Sequence, residues 1–323
     1  MKNVVQLLTH NLLDDNKKLK EIDHWLSVMN RPQGWHYDMD IVWLLQELEN
    51  SGIKKGDTIL DAGAGMGVTQ FILAARGFNV ISLDYSHREC PKIAEGIFDI
   101  SILSEDTLNY NHSYMGSVDY GIKSDVDKMN EKKDGILSFA IKTILKGRTH
   151  TMSTLSNLLK KRRNNLINSS ERELDHSNFG KIKFIRAAFH DIPLEDFSVD
   201  AIVSVSAIEH ADQTLMKKNI SEMKRVLKKE AVLLITTSAT NQEKDVYHNK
   251  TLGWCYSKAS LNNMAAIKNL NKFNYELVEK EILESTLWRS RIDSYYANDP
   301  DSEFFKRRVK KLPYLPVGVK IIK

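Results

Sequence analysis

The spacing of apolar residues changes along the chain, and its first stretch has helical periodicity. Asp38 stands where a helix N-cap is expected, and apolar residues then recur at i, i+3, i+4 and i+7. These residues are Ile41, Leu44, Leu45 and Leu48. The pattern predicts that residues 1–50 form a helical N-terminal cap.

A strand–helix–strand pattern follows this cap. Residues 58–60 are a short apolar run that enters a glycine-rich turn. Residues 68–76 then have helical spacing, and Gly77 occupies the position after the helix where glycine is favoured. A second apolar run lies at residues 80–83. This order is typical of a βαβ unit, in which the two strands are parallel.

The alternation of strands and helices resumes in the second half of the chain. A further helix is predicted over residues 214–229. Five further strands are predicted, at residues 183–187, 201–206, 231–236, 275–278 and 317–322. Together the elements predict an α/β fold with a mostly parallel, seven-stranded sheet and helices on both faces.

The connection between the second and third predicted strands is much longer than the topology requires. It contains about 95 residues, whereas a crossover needs only a dozen or more. We therefore interpret residues 105–178 as a helical insertion or lid, and residues 51–104 and 179–323 as the core. Within the insertion, residues 136–170 contain seven Lys or Arg and no acidic residue.

Composition excludes several classes of protein. Lys and Arg exceed Asp and Glu by 46 − 42 = +4, and 42% of the residues are apolar. This balance is unlike that of disordered chains, and no apolar run reaches the roughly 18 residues of a membrane-spanning helix. Two cysteines are too few for a disulfide framework or a structural zinc site. Because no signal segment is recognisable at the start, we expect a cytoplasmic protein.

The most informative motif is the turn after the first parallel strand. Asp61 is followed by evenly spaced glycines at Gly63, Gly65 and Gly67. A dinucleotide fingerprint needs glycines in the order Gly-x-Gly-x-x-Gly, and its third position is Val68 here. Since a carboxylate beside the turn repels a pyrophosphate, the motif favours a ligand with a cationic end and no phosphate.

At this point the sequence resembles class I S-adenosylmethionine (SAM)-dependent methyltransferases, whose glycine motif is an acidic residue followed by x-Gly-x-Gly-x-Gly. The resemblance covers residues 51–103 and 179–240. It implies a Rossmann-like fold and SAM as cofactor, with S-adenosylhomocysteine as product. The Ile-Glu-His end of the segment before Ala211 is similar to the small-molecule branch that includes quinone-biosynthesis enzymes.

The resemblance also implies a set of cofactor-binding residues. Asp84 ends the second strand, where the family has the carboxylate that binds the ribose hydroxyls. Asp191 stands where an acidic residue binds the adenine amino group. The full implied set is Asp61, Gly63, Ala64, Gly65, Gly67, Asp84, Tyr85, Asp191, Ile192 and Ser206.

Residues that are candidates to bind or activate the methyl acceptor lie in two segments of the sequence. His210 follows the fourth strand and is the candidate general base, with a structural role in the pocket as the alternative. Glu209 is a candidate hydrogen-bonding residue. Trp35, His36 and Tyr37 are candidates to cover the cofactor or stack on substrate, or else to pack the N-terminal helices on the core.

The nature of the acceptor is less constrained. The turns that mark methyltransferases acting on exocyclic base amines, cytosine C5 and protein arginine are absent, which leaves a small molecule, with O-methylation favoured over N- or C-methylation. The basic insertion suggests an anionic sugar, nucleotide sugar or lipid-linked acceptor, with peripheral membrane contact as one option. The structural alternative is that the basic stretch forms a solvated helix face.

An RNA-directed enzyme and a non-catalytic cofactor sensor are the rival functions, although the small net charge disfavours stable nucleic-acid binding. No metal is expected, since the histidines are scattered.

Overall fold

A computed structural model of the chain describes residues 2–86, 88, 90–102, 178–267 and 273–323. Apart from Asn178, the predicted insertion at residues 105–178 lies outside the described residues, and so does its basic stretch, 136–170. Among the described helices, none is both long and apolar enough to cross a membrane.

The described strands are β1 (Val4–Leu7), β2 (Thr58–Ala62), β3 (Asn79–Asp84), β4 (Ile100–Ile102), β5 (Ile182–Arg186), β6 (Val199–Val205), β7 (Leu227–Ala239), β8 (Val246–His248), β9 (Gly253–Tyr256) and β10 (Leu315–Ile322). The described α-helices are α1 (Asn16–Met29), α2 (Tyr37–Asn50), α3 (Thr69–Ala75), α4 (Lys92–Ile97), α5 (Met216–Val226), α6 (Lys258–Ala265), α7 (Tyr275–Glu284), α8 (Thr286–Arg291) and α9 (Ser294–Asn298).

All ten strands belong to one mixed sheet. Its main order is β1-β10-β7-β6-β2-β3-β5-β4, and β9 joins β7 with β8 beside it. The strands from β7 to β4 pair in parallel, whereas β10 is antiparallel to both of its neighbours. The order reverses at β2, which lies between β3 and β6. In open α/β sheets such a switch point is where ligands bind, at the carboxyl ends of the strands.

The predicted Rossmann-like α/β class is confirmed, but the number of strands differs from the seven predicted. The structure adds β1, β4, β8 and β9. β1 is a strand in the segment predicted to be helical, and it is held by antiparallel pairing with β10 at the other end of the chain. Short strands that depend on a distant partner leave little local pattern in a sequence.

The strand predicted at residues 275–278 is wrong, because those residues begin helix α7. The side chain of Asn274 accepts a hydrogen bond of 3.2 Å from the backbone N–H of Leu277, and this caps the helix. Tyr275 and Ile282 are buried seven positions apart on one face of α7. The alternation of Tyr275 and Leu277 with a polar residue is typical of a strand, whereas the Asn274 cap indicates a helix.

The predicted N-cap of α2 is also wrong by two positions. The helix begins at Tyr37, and Asp38 lies in its first turn. There the Asp38 carboxylate binds Arg291, with Nε–Oδ2 and Nη2–Oδ1 distances of 2.5 and 3.1 Å. Asp38 therefore connects the N-terminal helices to α8 instead of capping its own helix.

Helix α2 is buried on nearly all sides because it packs on β10, β7 and β6. Its Trp43 ring lies directly over Gly318 of β10, where a Cβ atom would come within 2.5 Å of the indole. A glycine is therefore required in this strand. Helix α5 packs on β7, and α6 packs on β1, β9 and β10.

Candidate cofactor and acceptor site

The site lies where the carboxyl ends of β2, β3 and β6 meet. The glycine turn at residues 63–67 follows β2, and residues 206–210 follow β6. These two strands are parallel neighbours, with Asp61 opposite Val203. The turn and the Ile-Glu-His segment predicted from the sequence are thus brought to one edge of the sheet.

The glycine turn is fixed by hydrogen bonds to β3. The backbone N–H groups of Gly63 and Ala64 both donate to the carbonyl oxygen of Leu83, at 2.8 and 3.0 Å. Gly63 has φ = +76°, and a Cβ atom there would come within 2.4 Å of the Ala207 Cβ atom. Only glycine fits this position, because both the backbone conformation and the space exclude a side chain.

Asp61 is buried at the base of the turn, with 1% of its surface exposed. Within the described part of the chain, its Oδ2 atom has no hydrogen-bond partner. Burial raises the pKa of Asp61 to about 7, although the nearby Arg88 guanidinium opposes this rise and Asp84 adds to it. A buried, incompletely satisfied carboxyl group beside a glycine turn is suited to receive a cationic group.

Asp84 lies across the turn from Asp61. Its Oδ2 atom accepts a hydrogen bond of 2.7 Å from the Gly65 N–H, and its Oδ1 atom accepts from the Ser86 backbone N–H at 2.8 Å. The next residue, Tyr85, accepts at its carbonyl oxygen a 3.1 Å hydrogen bond from Arg186 Nε. Asp84 is therefore held in place at the carboxyl end of β3, where the resemblance predicts a ribose-binding carboxylate.

Sequence reasoning missed Arg88, which lies beneath the glycine turn. Its guanidinium donates to the Gly65 carbonyl oxygen at 3.2 Å and to Ser82 Oγ at 2.8 Å, and it lies 5.3 Å from the centre of the Phe184 ring. Burial lowers the pKa of Arg88, while the charges of Asp84 and Asp61 oppose that effect. Arg88 was difficult to predict because its partners are mainly backbone carbonyls brought close by the fold.

The predicted adenine-binding segment lies at the end of the adjacent strand β5. The Ala187 N–H donates to the Asp84 carbonyl oxygen at 3.0 Å, which places this segment beside β3. Asp191 is exposed and closes a tight turn onto Ala188. Ile192 is buried, and its N–H donates to the Glu222 carboxylate at 3.0 Å.

A cleft opens beside this edge. Five of the candidate residues for the acceptor side or for the cofactor line it, namely His36, Tyr37, Ser206, Glu209 and His210. The other lining residues are Gly34, Ser238, Thr251, Tyr296 and Tyr314. Among the described residues, the lining is therefore polar and aromatic and includes no Lys or Arg.

His210 lies at the mouth of the cleft and is exposed. Its Nδ1 atom is 3.1 Å from the Leu252 carbonyl oxygen. Because a carbonyl can only accept, Nδ1 carries the proton and Nε2 of the neutral ring carries a lone pair. Glu209 beside it is buried, and its Oε2 atom accepts a 2.9 Å hydrogen bond from Thr237 Oγ1. Burial raises the pKa of Glu209, and the nearby His210 opposes this rise.

The three aromatic candidates from the N-terminal segment are separated by the fold. His36 and Tyr37 line the cleft, whereas Trp35 packs in an aromatic cluster. Its ring centre is 6.0 Å from that of Trp288, and the Trp288 indole donates to the Trp35 carbonyl oxygen at 3.2 Å. Trp35 therefore lies where the packing alternative predicts, whereas His36 and Tyr37 lie where they can contact a ligand in the cleft.

Sequence reasoning also missed Asp40 and Tyr314. Asp40 is fully buried and lies one helical turn after His36, and its Oδ2 atom is 2.7 Å from His36 Nδ1. The i, i+4 spacing of these two residues on α2 was a signal that could have found the pair. Tyr314 approaches from 278 residues away along the chain, so no local signal pointed to it.

Within the described ranges, no group of three or more His, Cys, Asp or Glu side chains is placed to hold a metal ion. The expectation of a metal-free enzyme stays a prediction.

A comparison with protein families finds a methyltransferase domain within the sequence. A family model for a methyltransferase domain matches residues 149–235, about a quarter of the chain. This range includes β5 and β6 and most of β7, but not the glycine turn, so the match is independent of the motif. No curated protein matches the sequence.

Several solved structures are similar in fold at low identity. One is a SAM-dependent methyltransferase of Methanosarcina mazei, 14% identical, with a TM-score of 0.40 and coverage of 86% of this chain and 98% of the other. A second, assigned as a methyltransferase of an antibiotic biosynthesis pathway in Anabaena variabilis, is 15% identical, with a TM-score of 0.31 and coverage of 64% of this chain and 49% of the other. A third, assigned as a SAM-dependent methyltransferase of Methanococcus maripaludis, is 14% identical, with a TM-score of 0.30 and coverage of 68% and 60%. The chain thus spans about half to three fifths of the latter two proteins.

Three observations agree with one another. They are the acidic residue and glycine turn after β2, the parallel strand order around that switch point, and the family match. Together they show that the chain is similar to the class I SAM-dependent methyltransferases and that residues 149–235 match a methyltransferase domain.

Proposed function

We propose that this protein transfers a methyl group from SAM to a hydroxyl group of a small-molecule acceptor that binds in the cleft beside His210. The observation that carries this proposal is the hydrogen bond between His210 Nδ1 and the Leu252 carbonyl oxygen. The Nδ1 proton is committed to the Leu252 carbonyl, so the Nε2 lone pair is available at the mouth of the cleft. The cofactor turn and this histidine lie at the same edge of the sheet.

The residues present fit the cofactor. At Gly65 only Asp84 Oδ2, 4.0 Å away, lies near the position of the missing Cβ, so the backbone of the turn is open there to a ligand. Asp61 Oδ2, which has no hydrogen-bond partner among the described residues, suits a cationic end. When bound, SAM supplies an activated methyl group on a sulfonium. We propose that the turn and its neighbours hold it, through Asp61, Gly63, Ala64, Gly65, Gly67, Asp84, Tyr85, Asp191, Ile192 and Ser206.

The protein's own contribution is mainly placement and removal of water, since the cofactor brings the leaving group. Tyr37 and His36, from the N-terminal segment, line the same cleft as Glu209 and His210. We assign His210 Nε2 as the atom that accepts the proton lost by the acceptor hydroxyl. The Glu209 carboxyl, held by Thr237, supports the wall beside it.

Part of the proposal rests on sequence alone. An anionic sugar, nucleotide-sugar or lipid-linked acceptor, and contact with a membrane surface, would depend on the basic stretch 136–170, which lies outside the described residues. The same stretch is the basis of the alternative, an RNA-directed methyltransferase.

Methyl-labelled SAM tests the proposal directly. The protein is incubated with the labelled cofactor and fractionated cell extract, and label is expected in small metabolites. Label in RNA would favour the alternative. Binding of SAM without transfer of label to any fraction would refute the proposed activity and support a cofactor sensor.

A further inference from the structure

A chain of buried polar groups lies beneath the cleft. Ser206 Oγ is 3.1 Å from Asp40 Oδ2, the same oxygen is 2.7 Å from His36 Nδ1, and His36 Nε2 is 3.4 Å from the Tyr314 hydroxyl. Asp40 is 0% exposed, His36 4% and Tyr314 5%. The chain reaches the cleft at its lining residues Ser206, His36 and Tyr314.

The Asp40 carboxylate sets the direction of the two hydrogen bonds that are made to it. An ionised carboxylate can only accept, so the Ser206 hydroxyl and the His36 Nδ1–H both donate to Asp40. In the neutral tautomer that donates from Nδ1, His36 Nε2 carries a lone pair and accepts a hydrogen bond from the Tyr314 hydroxyl. The Tyr314 oxygen then receives the Trp35 side-chain hydrogen bond on one lone pair and presents the other at the cleft that Tyr314 lines.

His210 supplies a second accepting group in the lining of the cleft. His210 donates its Nδ1 proton to Leu252, which leaves Nε2 as an acceptor. Ser206 is held by its neighbours as well, since its N–H donates to the Thr236 carbonyl at 3.0 Å and its hydroxyl to Asp40. Of the residues that the structure describes, no Lys or Arg lines the cleft to bind an anion.

We propose that the cleft binds groups that donate hydrogen bonds, a hydroxyl or an amine, and excludes carboxylate and phosphate oxygens from the reacting position. Tyr314 and His210 are the accepting groups, and Asp40 is a positioning residue that acts through His36. The inference deepens the proposed function and rests on it. Any anionic part of the acceptor must then lie outside the cleft.

The test uses four simple probes that differ in one group: phenol, aniline, benzoate and phenyl phosphate. Each is titrated against the full-length protein with saturating S-adenosylhomocysteine, while the imidazole ¹⁵N signals of labelled histidines are recorded. Phenol and aniline are expected to shift the His36 or His210 signals and to bind at least about tenfold more tightly than benzoate and phenyl phosphate. The ratio of phenol to aniline separates a hydroxyl from an amine acceptor.

The same spectra report the state of His36, which is expected to carry its proton on Nδ1. A proton on Nε2, equal or tighter binding of either anion, or no shift with either donor probe would overturn the proposal. Because the titration needs no turnover, it remains measurable even if methyl transfer is absent, a result that would refute the proposed function alone.

Variants isolate the Tyr314 oxygen. Tyr314→Phe is expected to reduce the preference for phenol over benzoate to less than about threefold. Tyr256→Phe is the matched control, since its buried hydroxyl bonds the Ile208 carbonyl at 3.2 Å and does not line the cleft. The control should keep the full preference, and loss of the preference in both variants would count against a specific role for Tyr314.

Discussion

The backbone N–H of Gly65 donates a 2.7 Å hydrogen bond to Asp84 Oδ2, which ties the glycine turn to the end of the adjacent strand. One carboxylate thus orders the turn and also stands where the cofactor's ribose is expected. Binding a ligand there does not require the loop to be ordered first, which reduces the entropy cost of binding.

Replacing Asp84 by Asn should weaken S-adenosylhomocysteine binding by at least about tenfold, because a neutral amide accepts hydrogen bonds from hydroxyl groups less strongly than a carboxylate does. Isothermal calorimetry measures the change. Asp200→Asn is the matched control, since Asp200 Oδ2 likewise accepts a backbone hydrogen bond, from Thr58 at 3.0 Å, but at the opposite end of β2. Equal losses of affinity in the two variants would contradict a direct role for Asp84.

Gly63→Ala tests whether the turn requires glycine for its conformation alone or also for space. Gly52 has nearly the same φ, +75° against +76°, but nothing lies within 4 Å of its missing Cβ. Gly52→Ala should therefore cost only the left-handed strain, about 1–2 kcal/mol of unfolding free energy. Gly63→Ala adds a clash with Ala207 and should cost about 1–3 kcal/mol more and reduce cofactor affinity. Urea unfolding compares the two variants, and equal destabilisation would show that space is not limiting.

Asp61 should make the stability of the ligand-free protein depend on pH. Its pKa is raised by burial to about 7 from an ordinary value of 3.8, so between these values the folded chain binds more protons than the unfolded chain. The free energy of unfolding should therefore fall as pH rises through this window, by at most about 1.4 kcal/mol per unit from this residue. Asp61→Asn should flatten the dependence in urea titrations at pH 5, 6 and 7. An unchanged slope would show that the pKa of Asp61 in the folded protein is not raised into this pH window.

The same group predicts how cofactor binding responds to pH. A cationic ligand beside Asp61 favours the ionised carboxylate, so binding should release a proton and tighten by about tenfold between pH 6 and pH 8. Calorimetry in two buffers of different ionisation enthalpy measures the released proton. Asp61→Asn should lose both the proton release and the pH dependence. Proton uptake by the wild-type protein would contradict the proposed position of the cationic end.

The parts of the fold that were predictable are those specified by local pattern. The β2–α3–β3 unit could be located because its apolar runs, glycine turn and Gly77 lie within 27 residues of each other. The β1 strand could not, because its four residues become a strand only by pairing with β10, more than 300 positions away. For α7 the relevant signal was present in Asn274, and the alternation of its apolar residues was misleading.

The candidate site divides in the same way. The glycine turn, Asp84 and the segment around His210 follow parallel strands directly, so their meeting at one edge follows from topology. Tyr296 and Tyr314 reach the cleft from the C-terminal part of the chain, and Arg88 bonds mostly to carbonyl oxygens. Those contacts depend on the path of the folded chain, which the residue types do not encode locally.

His210→Gln is the decisive variant for the proposed chemistry. Glutamine keeps a polar side chain but has no basic nitrogen, so transfer of labelled methyl groups should fall by about 10²–10⁴-fold if Nε2 accepts the proton. Affinity for S-adenosylhomocysteine should change by less than about threefold, because the cofactor is assigned to the turn after β2. His10→Gln, at a histidine that does not line the cleft, controls for loss of an imidazole in general. Transfer that persists in His210→Gln at more than about a third of the wild-type rate would assign the histidine to the wall of the cleft instead of the reaction.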